Sequence, residues 1–132
     1  MNVIALTPDN AQEYKPVLGD LFKQFVKSGV LAEGEIWRDI LESQRQGFVL
    51  TSDGEVKAVV LTRIADDEAK SLVVTHATGK DRHLWQHLFP VLLDWGKAIG
   101  CTRVEAITRP GWKRILEKFG LKQTHVVLEM EL

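Results

Sequence analysis

Residues 71–107, SLVVTHATGKDRHLWQHLFPVLLDWGKAIGCTRVEAI, decide the fold of this chain. They open with residues 71–77, a run rich in β-branched side chains that predicts a strand. After a polar break, apolar residues recur at the spacing of one helical face until Gly100, a residue typical of the position after a helix: Leu84, Leu88, Leu92, Trp95 and Ile99. Residues 102–107 predict a second strand. Strand, helix and strand in this order predict a βαβ unit with parallel strands and a right-handed crossover.

The junction between the first strand and the helix is the first candidate site. It holds Gly79, Lys80, Asp81, Arg82 and His83. A helix N-terminus carries partial positive charge and unpaired N–H groups, so acidic side chains are expected there. Here the basic side chains outnumber the single acid, and such a set fits an external anion, typically a phosphate. A solvated turn capped by Asp81 or Thr78 fits the same residues equally well, so the sequence leaves both interpretations open.

Composition and charge exclude several classes of protein. The chain has 132 residues, 45% hydrophobic and 27% charged, as expected for one globular domain spanning residues 1–132. Its net charge of -1 argues against a general nucleic-acid binder. A single cysteine, Cys101, excludes an internal disulfide framework and a cysteine-based zinc site. No apolar run is long enough to cross a membrane and the first residues do not resemble a signal peptide, so we expect a cytoplasmic protein.

The first half of the chain predicts a strand, two helices and a hairpin. Residues 3–6 predict the strand, and Pro16 marks either a kink or the first turn of the helix that follows. A shorter helix begins at about Glu33. Residues 48–51 and 56–62 flank an Asp-Gly pair typical of a hairpin turn. The side chains expected to face inward from the two helices are Tyr14, Val17, Leu18, Leu21, Phe22, Phe25 and Val26, and then Ile36, Trp37, Ile40 and Leu41.

The chain after residue 107 predicts a short helix and a last strand. The helix carries Trp112, Ile115, Leu116 and Phe119, and Gly120 follows it. In the strand, polar residues alternate with Val126, Leu128, Met130 and Leu132. The element order is then β, α, α, β, β, β, α, β, α, β. It predicts an α/β or α+β domain, with a mixed, mostly antiparallel sheet, helices on both faces and one central parallel βαβ unit.

Three stretches resemble the GNAT superfamily of N-acetyltransferases. They are residues 53–58 (DGEVKA), residues 92–105 (LLDWGKAIGCTRVE) and residues 115–121 (ILEKFGL). The order of the predicted elements is similar to that fold along nearly the whole chain. The resemblance implies transfer of an acetyl group from acetyl-CoA to an amine, with a small molecule or a peptide as the acceptor.

The resemblance also implies where acetyl-CoA, or CoA, binds. In the family the first parallel strand offers backbone groups to the pantetheine arm, which points to Val74, Thr75 and His76. The family's pyrophosphate lies on the turn that follows, here Gly79, Lys80, Asp81, Arg82 and His83. Arg109 stands at the position of the family's asparagine and is a further candidate contact. These implied contacts agree with the anion site that the cationic junction indicates on its own.

The chain departs from the family pattern in ways that bear on activity. Only Gly79 is kept of the glycines in the family turn, and side chains at the other positions restrict the approach of the backbone to a diphosphate. The family's general-acid tyrosine falls on Leu116, which cannot transfer a proton, and Trp112 replaces a small residue. Residues 109–116 also resemble small GNAT-like proteins that tailed bacteriophages encode among their structural genes. That resemblance leaves a virion or assembly role, and a homo-oligomeric or virion partner, open beside a cytoplasmic enzyme.

His76 and Glu105 are the candidate catalytic residues. A histidine titrates near neutrality and suits proton transfer, whereas Glu105 matches a strand position that carries a general base in some relatives. His83 and His87 have the spacing of two ligands on one helix face but lack a third, so no metal site is predicted. Two functions remain: an acyl-CoA-dependent N-acyltransferase that is slow without the tyrosine, and a GNAT-shaped interaction protein that has lost the chemistry.

Overall fold

The computed structural model describes residues 2–26, 32–79, 82–106 and 112–132 of the chain. The strands and helices within these ranges follow the predicted order up to the last helix. They are β1 (Asn2–Ala5), α1 (Ala11–Val26), α2 (Glu33–Leu41), β2 (Gln46–Ser52), β3 (Glu55–Asp66), β4 (Lys70–Gly79), α3 (Trp85–Ala98), β5 (Arg103–Ala106) and α4 (Lys113–Glu117).

The strands form one five-stranded sheet in the order β1-β2-β3-β4-β5. The first three pairs of neighbours are antiparallel, and β4 and β5 are parallel. Because α3 connects the two parallel strands, the predicted βαβ unit is confirmed. The hairpin between β2 and β3 is confirmed as well, with its turn at Asp53 and Gly54.

Helices cover both faces of the sheet, as predicted. One face carries α1 and α2, whose apolar side chains pack against alternate residues of β2 and β3: Leu18, Phe22, Phe25, Ile36, Trp37 and Ile40 against Val49, Val59 and Leu61. The other face carries α3 and α4: Trp85, Leu88, Phe89, Leu92 and Leu116 against Phe48, Val60, Leu72 and Val74. Burial of these two layers stabilises the sheet from both sides, because each layer removes a separate set of strand side chains from water.

The helices agree with the sequence prediction at some positions and differ from it at others. Pro16 lies inside α1 rather than in its first turn, and α3 continues through Pro90 as expected. Gly100 follows α3 with a φ of +90°, the left-handed conformation that its position predicts. Val17 and Leu41 were expected to face inward but are 54% and 40% exposed, so these two assignments are wrong. Both lie at the edge of the apolar stripe of their helix. Sequence spacing predicts which side chains share a helix face, but it does not predict which of them the sheet covers.

The predicted last strand is wrong. Residues 121–132 contain no strand, and the side chains that were expected to line a sheet are in solvent, with Leu128 90% and Met130 80% exposed. Leu121 is the last residue that packs against the α3 side of the sheet. Alternation of apolar and polar residues is a local property, whereas a strand also needs a partner with free backbone groups. None of the described strands pairs with this segment within the single chain.

Candidate functional site

The candidate site lies where β4 continues past its parallel neighbour. Pairing between β4 and β5 runs from Ser71 opposite Arg103 to Val74 opposite Ala106, but β4 extends to Gly79. Within the described ranges, which stop at Ala106 after β5 and resume at Trp112, no strand pairs with residues 75–77 on the β5 side. Backbone N–H and C=O groups on such an edge can pair with an extended ligand, as they do with an added strand.

A β-bulge in β4 falls directly after Val74, the last residue of β4 with a described partner in β5. Leu61 of β3 pairs with His76, but Thr62 pairs with Val74, so Thr75 is the extra residue of β4. A bulge interrupts the alternation of side chains and often re-aims them next to functional sites. Val74 packs on the α3 side of the sheet, and the side chains of Thr75 and His76 contact residues on the side of α1 and α2.

Arg45 anchors a polar cluster beside this bulge. Its side chain is only 14% exposed; Nη1 donates a hydrogen bond to Thr75 Oγ1 at 3.1 Å, and Nη2 lies 3.5 Å from Asp39 Oδ2. Thr75 Oγ1 in turn donates to the backbone oxygen of Leu61 at 3.2 Å. The cluster therefore links the loop before β2 to the bulge in β4 through a charged, mostly buried side chain, and such contacts are strong in a low-dielectric environment.

His76 lies half-buried in this cluster, with its ring 5.0 Å from the ring of Phe25. Burial lowers the pKa of His76 below its ordinary value of 6.5, and the positive charge of Arg45 lowers it further. Nδ1 of His76 and Nε of Arg45 are buried, and neither has a hydrogen-bond partner in the described structure. At neutral pH the imidazole is consequently uncharged and able to accept a proton.

Glu105, the other candidate base, lies in a different environment. It pairs with Val73 across the parallel strands, and its half-exposed carboxylate is 3.7 Å from the guanidinium of Arg103. Val73 and His76 are three residues apart on β4, which separates Glu105 from His76 by roughly 10 Å along the sheet. The structure therefore does not bring the two candidate bases together.

The predicted phosphate-binding turn is described only in part. Gly79 ends β4 opposite Ala58, and a 3₁₀ turn, Arg82–Leu84, leads into α3 with His83 exposed. This turn was not expected, because the apolar spacing indicated a helix directly after the polar break. Lys80, Asp81 and Arg109 lie outside the described residues, and so does the side chain of Arg82.

Leu116 and Trp112 belong to the apolar layer under α3. Leu116 is buried there, and the ring of Trp112 lies edge-on to Trp85 with centroids 5.2 Å apart. Packing therefore accounts for both departures from the family pattern. The only tyrosine of the chain, Tyr14, packs against the layer formed by α1 and α2 and does not replace the missing hydroxyl.

Two open surface depressions lie away from the β4 edge. One, of about 590 Å³, lies between α1 and α2 beside Trp37, over which the Lys15 ammonium lies 5.6 Å from the ring centroid. The other, of about 660 Å³, lies between α1 and the β2–β3 hairpin. Neither contains the histidine or the bulge, so chemistry rather than size identifies the β4 edge as the candidate site. No three His, Cys, Asp or Glu side chains gather as metal ligands within the described ranges.

Arg45 and Asp39 are the residues of the site that the sequence did not reveal. Arg45 lies in a polar loop before β2 and is separated from Thr75 by 30 positions along the chain. The sequence alone gives no partner for it.

Comparison with known proteins supports this fold. Neither a protein-family model nor a curated protein matches the chain in sequence. Among solved structures, a probable acetyltransferase is similar at a TM-score of 0.73 and 11% identity over 100% of this chain and 97% of that one. A ribosomal-protein-alanine N-acetyltransferase from Brucella melitensis biovar Abortus 2308 is similar at 0.72 and 10% over 100% of both chains.

A third similar structure contains a ligand. The aminoglycoside N-acetyltransferase AAC(6')-Iy, solved with the bisubstrate analogue CoA-S-monomethyl-acetylneamine, has a TM-score of 0.73 and 14% identity over 99% of this chain and 97% of that one. At these identities the similarity shows the fold alone. The chain has the fold of the GNAT N-acetyltransferases, as the sequence resemblance implied. None of the described helices is long and apolar enough to cross a membrane.

Proposed function

We propose that the protein is an acyl-CoA-dependent N-acyltransferase that transfers an acetyl group to the amine of a small molecule or a peptide. The observation that carries this proposal is the stretch of β4 at residues 75–77, which follows the last described pair with β5, at Val74 and Ala106, and leads toward α3. The fold shared with solved acetyltransferases, one of them bound to a CoA-containing analogue, supports the same activity.

The residues at the β4 edge fit the pantetheine arm of CoA. This arm is extended and contains two amide groups, so it can hydrogen bond to the backbone groups of residues 75–77 as an added strand does. The turn with Gly79, Lys80, Asp81, Arg82 and His83, together with Arg109, is proposed to hold the diphosphate. Val74 is buried toward α3 and pairs with Ala106 of β5, so the backbone contacts proposed for the arm begin at Thr75.

His76 is proposed as the general base. Acetyl-CoA supplies a thioester whose carbonyl carbon accepts an amine and whose thiolate leaves. The uncharged imidazole of His76 takes the proton that the amine nitrogen loses as the new C–N bond forms, and Arg45 and Thr75 hold that region of the cluster in place. The leaving thiolate takes its proton from water, because Leu116 cannot provide one. Glu105 is the second candidate for the role of base.

A second function is favoured by one observation at the same site. Leu116, at the position of the family's general acid, is buried in an apolar layer and carries no hydroxyl. A GNAT-shaped interaction protein without turnover, such as a virion or assembly component, would tolerate that loss. The two functions differ in a measurable way, since only the enzyme releases CoA thiol when both acetyl-CoA and an amine are present.

A thiol-release assay with acetyl-CoA and a broad panel of amines tests the proposal. We expect slow turnover by the wild type, and His76→Ala should lower kcat by about 10²–10⁴-fold. His87→Ala, which removes an exposed imidazole from α3, is the matched control and should leave kcat unchanged. If Glu105→Gln lowers kcat and His76→Ala does not, the base is Glu105. Absence of thiol release with every amine would favour the interaction protein.

A further inference from the structure

Residues 126–132 carry the most exposed group of apolar side chains in the described structure. Val126, Val127, Leu128, Met130 and Leu132 are all exposed, and no residue after Leu121 packs against the sheet. Soluble proteins seldom leave so many large apolar side chains together in water unless the surface binds something. The segment nevertheless has the alternation of a half-buried strand, with Val126, Leu128, Met130 and Leu132 on one side and Glu129 and Glu131 on the other.

The outer edge of β5 offers what this segment lacks. β5 pairs with β4 on one side, and no described strand pairs with it on the other. An edge strand exposes a row of unpaired backbone N–H and C=O groups that can accept another strand. Val104 and Ala106 pack on the α3 side of the sheet, and the exposed side chains of Arg103 and Glu105 lie on the opposite side.

The two surfaces match in polarity. A strand formed by residues 126–132 beside β5 would extend the apolar layer of Val104 and Ala106 with its own apolar side. Its polar side would then place carboxylates next to Arg103, whose guanidinium is otherwise 3.7 Å from a single carboxylate, that of Glu105. A shift by one residue would expose the apolar side chains and bury the acids, so the match favours one orientation of the faces.

We propose that residues 126–132 of one copy of this chain add as a strand to the β5 edge of a second copy. Each copy has a β5 edge without a described partner and a segment, residues 126–132, that pairs with no described strand. Two copies related by a two-fold axis can therefore pair each segment with the β5 edge of the other copy. The segment of the same copy stands clear of its own sheet, as its exposure shows. Self-complementarity therefore identifies a second copy as the occupant, and the pairing does not depend on whether the protein transfers acyl groups.

The test compares two neighbouring substitutions of the full chain. Leu128→Lys places a charge on the apolar side of the proposed strand, and Val127→Lys places the same charge on its polar side. Both positions are exposed in the single chain, so neither substitution should disturb its fold, which circular dichroism checks. Sedimentation velocity over a dilution series gives the mass, and hydrogen exchange at the same concentrations reports protection of residues 126–132 and of β5.

We expect the wild type and Val127→Lys to sediment at twice the 14.9 kDa of one chain, with exchange of both segments slowed by at least about tenfold in the dimer. Leu128→Lys should weaken the dimer at least about tenfold, because it removes a buried leucine from each exchanged strand. A wild type that stays monomeric at about 100 µM would overturn the proposal. It would equally be overturned by a dimer that Leu128→Lys does not weaken, or by protection of residues 126–132 in the monomer.

Discussion

His76 and Arg45 together determine the charge of the candidate site. His76 has no hydrogen bond at Nδ1 in the described structure that would stabilise its protonated form, and it is packed against Phe25. Burial is the larger cause of its lowered pKa, and Arg45 is the smaller one. Asp39 lies 3.5 Å from Arg45 and offsets part of that positive charge. The lowered pKa of His76 follows from this environment rather than from the residue type alone.

Removing the charge of Arg45 should therefore raise the pKa of His76. We expect the imidazole of the wild type to titrate below 6.5, and that of Arg45→Gln to titrate at a higher pH but still below 6.5, because the burial remains. Since protonation abolishes a general base, the acid limb of any pH–rate profile should move in the same direction. A titration of the histidine ring protons by NMR measures the pKa in both proteins.

Arg38→Gln is the matched control for this titration. Arg38 also contacts Asp39, at 3.6 Å, but its side chain is 60% exposed, so its charge is screened by water before it reaches the histidine. We expect no shift in that variant. Equal shifts in Arg38→Gln and Arg45→Gln would show that the charge of the whole loop matters, and that the buried contact of Arg45 with Thr75 does not.

At the scale of single residues, the sequence could predict the chemistry of His76 but not its surroundings. The residue type and its place late in a strand were enough to make it a candidate base. The bulge at Thr75 and the approach of Arg45 depend on how β3 and β4 pair and on how a distant loop packs. Local spacing carries no information about either contact, so the residues that control the pKa were missed.

Among the elements, the β2–β3 hairpin is the one whose sequence and geometry agree best. Asp53 and Gly54 both have positive φ, at 53° and 78°, as a two-residue turn of the type I′ class requires. An added Cβ at Gly54 would meet no atom within 4 Å, so only the backbone conformation restricts the position. The Asp-Gly pair therefore predicted the turn because both residue types tolerate the positive φ that this turn requires.

Gly54→Ala should lower the free energy of unfolding by about 1–2 kcal/mol, because alanine pays the steric cost of the left-handed conformation. Gly34→Ala is the control: this glycine lies exposed in α2, an added Cβ there also meets no atom within 4 Å, and its φ is not in the left-handed region. We expect no loss of stability from that change. Urea denaturation of both variants measures the difference, and equal stabilities would contradict the assignment of the turn.

The elements also show where sequence patterns stop being informative. The βαβ unit was predicted because its parallel strands and helix are consecutive and each carries its own periodicity. The last strand was predicted from an equally clear alternation, yet residues 126–132 form none. The difference lies in the partner: β5 has β4 beside it within the same chain, and the last segment has no described neighbour. Alternation predicts which residues can share a face, but pairing requires a second strand.

For the whole molecule, the sheet and its two helical layers bring distant parts of the chain to one edge. The bulge in β4 lies there beside the last described pair with β5, and Arg45 reaches it from the loop before β2. The fold could be predicted from the sequence almost entirely, because its elements are consecutive. The site could be predicted only in outline, because it depends on the bulge in β4 and on the packing of a distant loop.

The most direct test of the account is a calorimetric titration with CoA. We predict 1:1 binding of CoA to the wild type, with an affinity at least about tenfold weaker in the Lys80→Ala, Arg82→Ala double variant, since two charged contacts to the diphosphate are lost. Lys113→Ala, Lys118→Ala removes two exposed charges from the last helix and its end, and should bind CoA as the wild type does. No heat from the wild type at about millimolar CoA, or equal affinities for all three proteins, would contradict a CoA site at this edge.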